Sequence, residues 1–113
     1  MADSLRFLEK EIQKARDNAT GARRLADGER QLASQYDDPA DLALDVHTQQ
    51  AVAYDLRAQH LDDEADELEA RKAQVEAQVE ELKARRETIE REANEQIIAI
   101  DKELAGLTGS MTI

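Results

Sequence analysis

Between Pro39 and Gly106 the chain carries no further proline or glycine, and apolar residues return at steps of three and four throughout. That pattern predicts one long helix over about 39–105. An earlier stretch with the same spacing predicts a shorter helix over about 4–36. Two helices of such unequal length, joined by a turn at 37–39, cannot cover each other. If they fold together, roughly half of the longer one finds no partner in its own chain. The fold class that follows is all-α: an elongated antiparallel helical hairpin, short helix first, with a coiled-coil overhang on the long helix. The domain organisation is a single unit over 1–113.

The boundary is read from Asp37-Asp38-Pro39-Ala40-Asp41. Asp38 is expected to cap a helix that begins at Pro39, where the missing N–H costs nothing, with Asp41 acidic in the first turn. The first helix is expected to start at Asp3 or Ser4. Gly21 and Gly28 lie inside it, each costing about 1 kcal/mol relative to Ala. Gly106 is the expected stop of the long helix. Residues 106–113 then form an uncharged tail, read either as a frayed end or as a segment that adds to a partner.

Leu5, Leu8, Ile12, Ala15, Ala19, Ala22 and Ala26 trace a seam on the first helix, with Leu25, Leu32 and Tyr36 continuing it after a phase shift. The second helix offers Leu44, His47, Ala51, Tyr54, Ala58, Leu61, Ala65, Leu68, Lys72 and Val75. Folding at Asp38 brings residue n near residue 76 minus n, so that Ala19 meets Ala58 and Ala22 meets Tyr54. Small residues face large ones in several layers, which lets an alanine-rich seam close. Lys72 and Arg86 occupy seam positions, where their stems cover apolar surface and their charges reach the rim.

Past about Arg71 the first helix is used up. The remaining stretch extends roughly 50 Å at about 1.5 Å per residue. It carries the expected oligomer or partner interface: Val75, Val79, Leu82, Ile89, Ile97, Ile100, Leu104 and Leu107. The step from Ala93 to Ile97 is a stutter that locally unwinds a supercoil. The alternative is a chain break near Arg71 and a three-helix bundle, although residues 69–74 are all good helix formers.

A net charge of −11 is concentrated in residues 31–70, which hold one basic and eleven acidic side chains. Asp62, Asp63, Glu64, Asp66, Glu67 and Glu69 form a cluster with no basic residue among them. It reads as a solvated surface, as a docking surface for a basic partner, or as a mimic of nucleic acid. No segment is basic enough for direct nucleic-acid binding.

Nothing in the sequence carries chemistry. There is no cysteine, no phosphate-binding glycine loop and no nucleophile motif. His47 and His60 are too far apart for one site, and His60 with Glu64 supplies two ligands where a tight metal site needs three or more. No catalytic residue, cofactor or metal is expected, and the protein is read as no enzyme. His47, on the seam, is expected to pack or hydrogen-bond. The N-terminus has no signal-peptide core and no aliphatic run spans a membrane, so a cytoplasmic location is expected, or a virion if the source is viral.

In outline only, the pattern resembles helical hairpins of secretion chaperones, prefoldin-like holdases and viral scaffold or tail proteins. No motif singles one out. The expected function is structural: a non-enzymatic assembly protein that oligomerises or docks in a larger protein assembly through a coiled coil, such as a bacteriophage or bacterial particle component. The alternative is a chaperone-like or regulatory binder of a basic partner.

Overall fold

Helix α1 (Leu5–Ala33) opens at Ser4, whose extended backbone and hydroxyl acceptor make it the N-cap. The Ser4 Oγ accepts the Phe7 N–H at 3.1 Å, and its carbonyl accepts the Leu8 N–H at 3.0 Å. The computed structural model describes residues 4–109, so Asp3, the other candidate cap, lies outside the described residues. α1 ends at Ala33, short of the expected Tyr36. There the N–H groups of Gln35 and Tyr36 turn back three residues, to Leu32 at 3.2 Å and Ala33 at 3.1 Å. These shorter-range bonds make a tight turn that closes the end of the helix.

The connection spans 34–41, longer than the turn expected at 37–39, and corrects the helix start. Asp38 caps a β-turn, not a helix. Its carbonyl accepts the Asp41 N–H at 3.0 Å and its carboxylate accepts the Ala40 N–H at 2.9 Å. Pro39 sits at the second turn position, where a fixed φ serves a turn as well as a first helical residue. Helix α2 (Leu42–Thr108) is capped instead by Asp41, whose carboxylate accepts the Ala43 N–H at 2.9 Å and whose carbonyl accepts the Asp45 N–H at 3.3 Å. At the far end Gly106 is helical, and Gly109, with φ +71°, is the left-handed residue that follows the last turn. Residues 69–74 are helical, so the break required by the three-helix alternative is absent there. The rest of the expected tail, 110–113, lies outside the described residues.

Two units divide the chain between Val75 and Glu76. In the first, the buried residues are Leu8, Ala15, Ala19, Ala22 and Ala26 of α1 with Ala51, Ala58 and Ala65 of α2. Leu8 is the one large side chain fully buried among the described residues, and the rest of this core is alanine. Small side chains let two backbones approach closely but bury little area each, so the core is thin. Ala19, Ala22 and Ala58 form one cluster with Leu61 packed on it.

Ion pairs flank this core. Arg16 reaches Asp66 at 2.9 Å, Asp62 at 3.3 Å and Glu69 at 3.5 Å; Arg23 pairs with Asp62 and Arg30 with Asp55. Lys72 lies 3.8 Å from Glu9. Partner numbers on α2 fall as those on α1 rise. Leu25 and Leu32 do not join the core: they are 55% and 42% exposed. The steps of three and four continue from Ala26 through Glu29, Ala33 and Tyr36, all half-buried. Helix geometry sets this phase as far as Ala33, and it leaves the two leucines outside.

The second unit, described over 76–109, is helical through Thr108. Val79, Thr88 and Ala105 are half-buried and its other described residues are exposed.

Candidate functional site

The second unit presents large aliphatic side chains to solvent at helical spacing. Leu82, Ile89, Ile97, Ile100, Leu104 and Leu107 are between 41% and 84% exposed, and Val79 is half-buried. Val75, expected in the same set, is half-buried in the first unit. Ile98, not expected there, is as exposed as its neighbour Ile97. Fully burying a side chain of this size is worth about 1.5–3 kcal/mol, whereas an isolated helix in water is marginal. The charges beside the stripe are held only loosely: Lys83 lies 3.7 Å from Glu80, and Arg86 3.5 Å from Glu90. Arg86 is exposed, with its guanidinium turned toward the carboxylate one helical turn on.

The acidic cluster divides in two. Asp62, Asp66 and Glu69 face arginines of α1 through the contacts given above. The hydrogen bond from Arg23 is the main reason the Asp62 carboxyl sits below the usual carboxylate range, with Arg16 adding to it and desolvation opposing. Arg16 in turn is raised above its ordinary value, first by its bond to Asp66. Asp63, Glu64 and Glu67 are exposed, and Asp63 accepts a bond from Gln59 at 3.0 Å. The arginines responsible lie 39 to 53 positions earlier in the chain, too far for local charge compensation to be read from neighbouring residues.

A third cluster joins His47 and Tyr36, both expected on the seam, to Glu29 and Gln50, which were not. Glu29 occupies the seam, and its carboxylate meets His47 Nδ1 at 2.5 Å. With its amide oriented to donate, Gln50 reaches both Glu29 oxygens, at 2.9 and 3.0 Å. The Tyr36 ring stacks on His47 with centroids 6.0 Å apart. Glu29 is 18% and His47 23% exposed, so this network lies at the edge of the first unit's core. The signal was present in the uninterrupted steps from Ala26 to Glu29 and on to Tyr36. His60 is exposed.

Among the described residues, no three His, Asp or Glu side chains are grouped to hold a metal, and no helix is long and apolar enough to cross a membrane. Set beside known protein families, curated proteins and solved structures, the chain matches none.

Proposed function

We propose that the protein is a non-enzymatic structural or assembly component. In this reading α1 and the first part of α2 form an antiparallel helical hairpin, and the later part of α2 associates in a coiled coil within a larger assembly. One observation carries it: a run of aliphatic side chains at seam spacing, exposed on a helix where the described residues of its own unit do not bury them. Association removes that stripe from water and stabilises the helix that carries it. The alanine-rich hairpin, tied by Arg16, Arg23 and Arg30 to α2 carboxylates, then serves as the rigid base.

The test is the pair Leu82→Asp with Ile89→Asp, followed by light scattering coupled to size exclusion. The variant is expected to lose association while keeping the circular dichroism of a helical protein. Assembly of unchanged mass would overturn the proposal.

A second reading, a binder of a basic partner, is supported by the acidic side chains of Asp63, Glu64 and Glu67, which are exposed. Replacing these three with Asn, Gln and Gln is expected to spare folding. Under this reading it abolishes binding to a basic protein, and unaltered binding at low salt excludes it.

A further inference from the structure

We infer that the occupant of the exposed α2 stripe is a second copy of this chain, lying antiparallel and centred between Glu87 and Thr88. This rests on the coiled-coil reading above and goes further, fixing partner, direction and register. The carrying observation is the placement of charge beside the stripe. Lys83 directly follows Leu82 on the helix and Glu90 directly follows Ile89. Arg85 directly precedes Arg86, and Glu92 directly precedes Ala93. In an antiparallel pair, positions that follow the seam face their own kind across it, and so do positions that precede it.

With Arg86 placed against Ile89 of the second copy, Leu82 falls against Ala93 and Val79 against Ile97. Lys83 then faces Glu90 of the second copy and Arg85 faces Glu92. The two-fold axis repeats each pair, giving four opposite-charge contacts from four residues. Sliding the copies by one heptad in one direction sets Lys83 against Lys83 and Arg85 against Arg85. Sliding in the other sets Glu90 against Glu90 and Glu92 against Glu92. Charge therefore selects one register of the three.

Seam packing selects the direction. A parallel pair would bring Arg86 against Arg86 and Ala93 against Ala93, a like-charge contact followed by a gap. The antiparallel pair sets the Arg86 stem beside Ile89 and fills the space over Ala93 with Leu82. The existing contacts within the helix, Lys83 with Glu80 at 3.7 Å and Arg86 with Glu90 at 3.5 Å, are exposed and long. Surface pairs of this kind contribute little, so these side chains are available to a facing helix.

The chain has no cysteine, which makes single introduced thiols unambiguous. Leu82→Cys and Ala93→Cys proteins, one carrying a size tag, are unfolded together, refolded and mildly oxidised. The expected product joins one Leu82→Cys chain to one Ala93→Cys chain. Products joining two Leu82→Cys chains, or two Ala93→Cys chains, would show a parallel pair and overturn the inference.

Charge exchange gives an independent readout that leaves the seam intact. Lys83→Glu/Arg85→Glu and Glu90→Lys/Glu92→Lys are each expected to weaken self-association roughly tenfold or more, and an equimolar mixture to restore it. Equal association of all three samples would overturn the register. A wild-type mass equal to one chain at every concentration would overturn the second copy as occupant. The wider reading falls separately, if Leu82→Asp/Ile89→Asp leaves assembly unchanged.

Discussion

Replacing Ala58 by leucine probes how closely the two helices of the first unit approach. Ala58 is 1% exposed in a cluster with Ala19 at 0% and Ala22 at 5%. One heptad to either side, Ala51 and Ala65 are buried as well, so the helices are close on both flanks of the site. Leucine brings three more carbons. Burying them without strain would gain about 0.8 kcal/mol each. Room for them requires the helices to separate, which withdraws contacts at Ala51 and Ala65. Overpacking of this kind typically costs about 1–3 kcal/mol net. For a unit of this size that is a fall in melting temperature of about 4–24 °C, since each kcal/mol shifts it by about 4–8 °C. Thermal unfolding followed by circular dichroism at 222 nm measures it, with Ala53→Leu as control. Ala53 is exposed on the same helix, and its replacement is expected to stay within about 0.5 kcal/mol of wild type. An Ala58→Leu protein as stable as wild type, or an Ala53→Leu protein equally damaged, would refute the close approach of the helices.

The remaining predictions concern charge, the seam network and the α1 glycines. Asp62 has a folded pKa below its unfolded one, so its stabilising effect is full above the ordinary carboxylate range and is lost as pH falls through the lowered folded value. Asp62→Asn is therefore expected to be less stable than wild type at pH 7, with the gap closing in melts taken below about pH 4; a gap that stays constant with pH contradicts this. His47→Ala removes a partner of the half-buried Glu29 carboxylate and is expected to cost about 1–3 kcal/mol in urea denaturation; no loss would place Glu29 in water. A Cβ built on Gly21 or Gly28 meets no atom within 4 Å. Gly21→Ala and Gly28→Ala are each expected to gain about 0.5–1 kcal/mol by the same assay, and a loss would reveal a contact at those positions.

Steps of three and four made most of the buried residues of the first unit legible. Leu8, Ala15, Ala19, Ala22 and Ala26 lie on one such series, and Ala51, Ala58 and Ala65 on another. What misled was hydrophobicity overriding phase. Leu25 and Leu32 are more apolar than Glu29 and Ala33, yet helix geometry keeps the latter on the inner face. There the cost of burying Glu29 is offset by His47 and Gln50, which follow it in sequence by 18 and 21 positions. The helix start failed for a different reason: Pro39 fits the second position of a β-turn as well as the first of a helix. Only the Asp38 and Asp41 hydrogen bonds distinguish the two. Compensation of the acidic cluster depended on which residues α1 sets opposite it, and that is a property of the fold.

Association through the later part of α2 is tested most directly by hydrogen exchange across 76–108 at two protein concentrations. Paired, these amides are expected to be protected, and more strongly as concentration rises, while protection within the first unit stays constant. Fast exchange throughout 76–108, unchanged with concentration, would mean that the stripe is not covered by a second copy and would contradict the account.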